Sequence, residues 1–217
     1  SLEIKSIRDH LNILEMCKVY NTKKIIFPST GFVYGNVNGS KKIKENDLIS
    51  LENPYSIAKY TAEKFTIYFN RKFNLDFTIL RYAAIYGPGQ VTGAMSDYIR
   101  CAKNDIPCNF WGNKKTRDYV YIDDAVKANL KSLEDFSSQK IINIGTGIGT
   151  NLLKLYFKIC KVLKVEPKPK FHDHIIGEQD NYKLDTSYAK KIMKWHPKVN
   201  LKEGLIKTIQ SHIHNNL

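Results

Sequence analysis

The feature that most limits how this chain folds is an alternation. Short apolar runs closed by Gly, Pro, Ser or Thr take turns with longer stretches whose apolar residues recur every three or four positions. Residues 24–27 read as a strand ending in Pro28-Ser29-Thr30-Gly31, and residues 76–80 as a strand leading to Gly87-Pro88-Gly89. Lys140–Ile144 reads as a third, closed by Gly145-Thr146-Gly147. Residues 4–20, with Ile4, Ile7, Leu11 and Leu14 in phase, read as a helix. So do residues 55–73, with Pro54 at a first helical position. Helices are also predicted over 95–103, 123–133 (capped by Asp123), 151–163 and Leu201–His214, and short strands over Cys108–Trp111 and 119–122. Strands alternating with helices predict an α/β fold with a mainly parallel sheet.

Size and charge then exclude whole classes of function. A chain of 217 residues with 25% charged and 42% hydrophobic residues can bury a sizeable core and is neither disordered nor fibrous. No apolar run approaches the ~20 residues of a membrane span. Residues 1–10 are too polar for the core of a signal peptide. The net charge of +13 invites a nucleic-acid partner, yet only five of the 34 basic residues are arginine, and the lysines are scattered. Base readers and phosphate clamps favour the arginine fork. The expectation is a lysine-coated surface, with no nucleic-acid and no membrane partner. Cys17, Cys101, Cys108 and Cys160 lack CxxC spacing and are expected to be reduced thiols in a cytoplasmic protein. His172 and His174 form a His-x-His pair with no evident third ligand, so no metal site is expected.

The residues that carry chemistry are Ser29-Thr30-Gly31-Phe32-Val33-Tyr34-Gly35 and Tyr55-Ser56-Ile57-Ala58-Lys59. Tyr55 and Lys59 lie four apart on a predicted helix and share a face. A phenol ordinarily titrates near ~10, and a nearby ammonium lowers that value. A tyrosine so tuned exchanges a proton with a sugar or alcohol hydroxyl. Thr30, at a strand end where open α/β sheets place ligands, could hydrogen-bond the same oxygen. A Tyr-x-x-x-Lys pair is common by chance; alone it describes one buried Tyr and one solvated Lys.

Further motifs in order lift the pair above chance. They are Leu80-Arg81-Tyr82 with Ile85-Tyr86-Gly87-Pro88-Gly89, Thr116-Arg117-Asp118-Tyr119-Val120-Tyr121-Ile122-Asp123-Asp124, Asn143-Ile144-Gly145-Thr146-Gly147, Gly177-Glu178, and Leu184-Asp185-Thr186-Ser187 with Trp195-His196-Pro197. With these, the chain resembles the extended short-chain dehydrogenase/reductase family, in particular its NAD-dependent nucleotide-sugar epimerases and dehydratases. The resemblance implies a Rossmann-like parallel sheet with a smaller C-terminal substrate domain. Residues 1–91 and 123–150 would form the dinucleotide-binding part, and 92–122 and 151–217 the substrate part. It further implies that Thr30 contacts the sugar C4 oxygen, Tyr55 is the general acid/base, and Lys59 holds the nicotinamide ribose and depresses the Tyr55 pKa. Ser29, Tyr82 and Ala83 would join Tyr55 and Lys59 at the cofactor. Ala84, Phe110 and Arg117 would join Thr30 at the substrate, with Arg117 on its diphosphate and Phe110 and Trp111 near its base. For Arg117 the alternative is a surface ion pair with Asp118 or Asp123; for Phe110 and Trp111 it is core packing.

The chain also departs from the family. No GxxGxxG turn, the family's seat for the dinucleotide pyrophosphate, is present. The sheet is therefore expected to be truncated, with an exposed edge, and NAD (or NADP) binding by this chain alone to be weak. Three accounts stay open: a piece of a longer enzyme, which is the expectation, half of a split enzyme, or a chain that has lost cofactor binding. Gly31 and Phe32 stand where the family's dehydratases carry Asp and Glu, which points from water elimination toward C4 epimerisation through a 4-keto sugar. Ala84 replaces a substrate-contacting Asn, Ile175-Ile176 precede Gly177 where an arginine is frequent, and a cofactor-facing Asn in the first helix is lost. The expected partners are a nucleoside-diphosphate sugar and a second copy of the chain, through helices 4–20 and 54–73. A nucleotide-sugar reductase and a non-catalytic binding module are the alternatives.

Overall fold

The computed structural model describes residues 1–36, 41–112, 115–173 and 181–214. His174, Ile175, Ile176 and the Gly177-Glu178 motif lie outside them. In chain order the elements are α1 (Leu2–Val19), β1 (Lys24–Thr30), α2 (Pro54–Phe73), β2 (Asp76–Tyr82), β3 (Ala84–Tyr86), α3 (Ala94–Lys103), β4 (Cys108–Trp111), β5 (Thr116–Tyr121) and α4 (Ile122–Lys131). They continue as β6 (Lys140–Ile144), β7 (Gly149–Asn151), α5 (Leu152–Leu163), β8 (Pro169–His172), α6 (Ser187–Met193) and α7 (Leu201–His214). A single 3₁₀ turn, Gly31–Tyr34, follows β1.

The chain is α/β, built on a parallel sheet in the order β1-β2-β6. Lys24 to Thr30 of β1 pair with Asp76 to Tyr82 of β2, and Thr78 to Tyr82 of β2 with Lys140 to Ile144 of β6. Two small sheets complete the fold, β3-β5-β7 and β4-β8. Among the described residues β1 is the edge of the main sheet. It runs three residues past its apolar core, through the exposed Pro28, because a strand with one unpaired side tolerates a residue that lacks an N–H.

α2 has strong local reasons to start where it does. Pro54 occupies its first turn, and the Asn53 side chain accepts the Ser56 N–H at 2.8 Å while the Ser56 hydroxyl lies 3.4 Å from the Asn53 N–H. This reciprocal cap is worth about 1 kcal/mol and fixes the first turn, which carries Tyr55. α2 ends at Asn74, in the left-handed region at φ +55°. Asp123 does not cap α4 as expected. β5 runs directly into the helix at Ile122, which leaves Asp123 inside the first turn with Tyr121 in the cap position. The neighbouring Asp124 is fully buried and accepts the Lys198 and Val199 N–H groups, both at 2.8 Å.

Two main cores form. One gathers Val33, Leu80, Val120, Ile142 and Ile144 around the main sheet. The other gathers Met95, Ile99, Phe110, Leu155 and Ile159 between α3 and α5. The apolar residues of 182–195, assigned from the sequence to the substrate part, pack in the first core through Tyr182, Leu184, Met193 and Trp195.

Candidate active site

Thr30 ends β1, and its Oγ1 accepts the Phe32 N–H at 3.2 Å, which starts the 3₁₀ turn at the sheet's C-terminal end. The same side chain acts on the Tyr55 hydroxyl and favours its ionised form. Thr30 is buried, whereas Tyr55 is 48% exposed. Tyr55 stands edge-on to Phe32, ring centroids 6.3 Å apart. Tyr55, Phe32, Ala84, Gly93, Met95, Arg117 and Tyr119 line one cleft of about 590 Å³. Ala84, the first residue of β3, thus reaches the site as expected.

Electrostatics at Tyr55 differ from the expectation. Burial pushes its pKa up from the ordinary phenol value, and the hydrogen bond from Thr30 opposes that rise. Lys59 was expected to depress it. Instead the ammonium donates to the Pro28 carbonyl at 2.9 Å and sits 5.2 Å from the centre of the Phe27 ring. Burial pulls the Lys59 pKa down. The i, i+4 spacing placed both residues on one helix face correctly, but it could not foresee that a strand carbonyl competes for the ammonium.

Arg117 lies at the wall between this cleft and a second one of about 320 Å³, lined also by Tyr98, Cys108, Phe110, Trp111 and Lys115. Its guanidinium rests 5.7 Å from the Phe32 ring centre and 5.8 Å from that of Tyr182, and its Nη1 donates to the Thr116 carbonyl at 2.9 Å. The neighbouring Asp118, offered as an ion-pair partner, turns the other way. Fully buried, it accepts the Thr146 N–H and hydroxyl, the Gly147 N–H and the Leu184 N–H, at 2.5 to 3.1 Å. Burial pushes the Asp118 pKa up, against those four bonds. Phe110 is 3% exposed and packs on Tyr98 and Tyr156, with only an edge at the second cleft. Trp111 is 40% exposed and stacks on His172 at 5.3 Å, with the rings 23° from parallel.

Three expected cofactor residues lie below the site. Ser29 is buried and donates its hydroxyl to Glu63. Tyr82 and Ala83 are each 5% exposed, and the Tyr82 hydroxyl meets the Asn129 amide at 2.6 Å on α4. The Tyr82 hydroxyl is thus committed within the core, and Ala83 has only a methyl side chain and its backbone to offer a ligand. Sequence reasoning missed the group beneath Ser29. Glu63 takes Arg81 in a two-pronged ion pair, Nε to Oε1 at 3.0 Å and Nη2 to Oε2 at 2.7 Å, with both side chains at most 3% exposed. The Tyr34 hydroxyl accepts from Arg81 Nη1 at 2.9 Å and donates to Asn143 Oδ1 at 2.8 Å. The available signal was that Glu63 falls one helical turn after Lys59.

With respect to NAD, the chain's residues fit one end only. Thr30 ends β1 and acts on Tyr55, and Lys59 holds the Pro28 carbonyl two residues earlier on the same strand, the end at which a nicotinamide ribose would be met. No glycine-rich turn is present for the pyrophosphate.

Comparisons with known proteins identify the family. The model of the NAD dependent epimerase/dehydratase family matches residues 5–145. A Methanocaldococcus jannaschii protein that carries a provisional UDP-glucose 4-epimerase name is 34% identical over 212 residues, 95% of this chain and 68% of that protein. The crystal structure of the Thermotoga maritima UDP-glucose 4-epimerase with UDP-glucose is similar over 96% of this chain and 69% of its own, with a TM-score of 0.90 and 32% identity. The Bacillus cereus UDP-glucuronic acid 4-epimerase with UDP-glucuronic acid and NAD gives a TM-score of 0.91 at 28% identity, over 97% and 68% of the two chains. Other relatives are named as a decarboxylase, a reductase and a dehydratase. The chain spans about two thirds of the length of the relatives it matches. By fold, by ordered motifs and by these similarities, the chain belongs to the NAD dependent epimerase/dehydratase family.

Proposed function

We propose that the protein takes part in the epimerisation of a nucleoside-diphosphate sugar at C4, through a transient 4-keto sugar. The observation that carries this reading is that Tyr55, with Thr30 acting on its hydroxyl from the end of β1, lines one cleft with Arg117. NAD, when bound, would supply a reversible hydride acceptor. Tyr55 takes the proton of the C4 hydroxyl as the hydride leaves C4, and gives it back when the hydride returns on the other face. Thr30, at the end of β1 beside Tyr55, orients that hydroxyl. Lys59 sets the electrostatics at the end of β1 and would meet the nicotinamide ribose. Arg117, clamped between Phe32 and Tyr182, presents a positive charge at the wall of both clefts, where a diphosphate joining sugar and base would pass.

Epimerisation is favoured over water elimination by what fills the site next to Thr30. A Cβ at Gly31 would meet the Tyr182 ring at 3.1 Å and Leu184 at 3.2 Å, so packed side chains occupy the space an acidic side chain needs. Among the described residues, Glu3 is the one carboxylate lining the Tyr55 cleft.

The test is to incubate the protein and NAD with UDP-glucose, and separately with UDP-galactose, and to follow the sugars by NMR. Approach to one ratio from both directions, with no net change at 340 nm, supports the reading. Net oxidation of NADPH would point to a reductase, and a 4-keto-6-deoxy product to a dehydratase. Calorimetry with NAD alone is expected to show weak binding; tight one-to-one binding would overturn the expectation drawn from the missing glycine-rich turn. We further propose a homodimer through α1 and α2. α1 exposes Ile4, Met16, Val19 and Tyr20, and α2 exposes Ile57 and Tyr68. Sedimentation giving a monomer at micromolar concentration would exclude it.

A further inference from the structure

We propose that the cavity between α5 and the segment leading into α7 is a second binding site, for a small, multiply charged phosphate anion. It has about 470 Å³ of space, within the range of small-molecule sites. Lys154 and Lys158, one helical turn apart on α5, form one wall, and Lys198 stands in the other. Thr146, Gly149, Thr150 and Asn151 also line it.

Its charge is of one sign. Among the described residues no Asp or Glu lines this cavity, whereas Asp97 lines the Trp111 cleft and Glu3 the Tyr55 cleft. Among the described residues, Lys18, Lys41, Lys127, Lys168 and Lys207 are paired with carboxylates, and Lys154, Lys158 and Lys198 are in no such pair. Three ammoniums around one concave space repel one another, and a cleft lined by one sign of charge concentrates counter-ions of the other. The first turn of α7 opens at the same cavity, and its acid, Glu203, is turned to Lys207 at 2.8 Å.

The backbones that carry these lysines are fixed. Lys198 and Val199 donate to the buried Asp124, and the Asn151 side chain accepts the Lys154 N–H at 3.0 Å. The charges are therefore held on a preformed frame, with only the side chains left to close on a ligand. Lysine suits this use because it acts as a point charge and demands no two-pronged geometry, so a cluster takes phosphates in several orientations. The cavity shares one wall residue, Tyr119, with the Tyr55 cleft, so the test has to separate the two.

Calorimetric titration of the whole chain with inorganic tripolyphosphate, at low and moderate salt, makes that separation. The expected result is one-to-one binding whose Kd rises at least tenfold in Lys154→Ala/Lys158→Ala. It should stay within twofold in Lys190→Ala/Lys191→Ala, an exposed pair on α6, and in Arg117→Ala. Lys198→Ala should weaken binding from the opposite wall. Thermal melting of each variant reports folding. An equal loss in the α6 pair would mean diffuse attraction to a basic surface. A loss confined to Arg117→Ala would place the anion in the Tyr55 cleft. Either result, or no heat at millimolar tripolyphosphate, would overturn the proposal. None of these readouts depends on epimerase activity, so the two readings fail separately.

Discussion

Two tyrosine–arginine pairs sit at the C-terminal end of the main sheet, and they lead opposite lives. Tyr34 and Arg81 are at most 3% exposed. Tyr34 gives its hydroxyl to Asn143 and takes a bond from Arg81, which is locked on Glu63. Burial pushes the Tyr34 pKa up to about 12, against the pull of Arg81. Burial draws the Arg81 pKa down, but its bonds and charge pairing with Glu63 and Tyr34 outweigh that and leave it raised. Tyr55 and Arg117, by contrast, border a cleft, and the Phe32 and Tyr182 rings lie against the guanidinium. The residue types are the same, but the first pair is enclosed in a hydrogen-bonded network and the second stands at the wall of a cleft. A buried, fully satisfied network specifies shape, and a half-exposed group can act on a substrate.

Substitutions can break this contrast, beginning with the largest effect. Tyr55→Phe is expected to lower turnover by about 10²- to 10⁴-fold, the usual worth of a positioned proton donor and acceptor. Its urea midpoint should stay near that of the parent. A large loss of stability would mean that Tyr55 belongs with the buried network. Glu63→Gln should behave in the opposite way. Removing one partner of a buried ion pair costs about 3 to 5 kcal/mol, which urea unfolding would register. Replacing both partners, as Glu63→Leu with Arg81→Met, should recover much of that loss. If it does not, the network's other bonds, to Ser29 and Tyr34, matter more than the pair.

Gly31→Ala tests the border between the two regions. The added methyl has to displace the Tyr182 ring, and overpacking of this kind costs about 1 to 3 kcal/mol. Because Tyr182 also flanks Arg117, UDP binding by calorimetry should weaken in the same variant. The last effect, read against pH, belongs to His10, buried against Phe27 at 4.4 Å with its Nε2 2.8 Å from the Thr66 hydroxyl. Burial first, then the charge of Lys59, lowers its pKa from 6.5 to about 4. The folded state thus refuses a proton that the unfolded chain accepts. The stability conferred by neutral His10 is complete above pH 6.5 and drains away as pH falls toward 4. The slope is at most about 1.4 kcal/mol per pH unit. His10→Gln should flatten that part of the curve relative to the parent, and identical acid limbs would refute the assignment.

The part of this molecule that was legible in its sequence is the part decided locally. The apolar runs of β1, β2 and β6, the periodicity of α2 and α7, and Pro54 at a helix start are all written within a few residues of where they act. The placement of Tyr55, Ala84 and Arg117 at one cleft was reachable because ordered motifs resemble a family, not because periodicity implies it. What escaped depends on distant partners. β8 is four residues long, too short to show a pattern, and exists by pairing with β4. Glu63, Asn143 and Asp118 are ordinary polar letters whose buried roles are set by groups up to 109 positions away. The competition of the Pro28 carbonyl for Lys59 is of the same kind.

That contact has a colloidal consequence. A bare sheet edge is a template on which another chain can grow a ladder. Pro28 removes one rung by having no N–H to give, and Lys59 occupies another by holding the proline carbonyl at 2.9 Å. Among the described residues, this flank of β1 therefore offers a partner strand neither an N–H nor a free carbonyl at position 28.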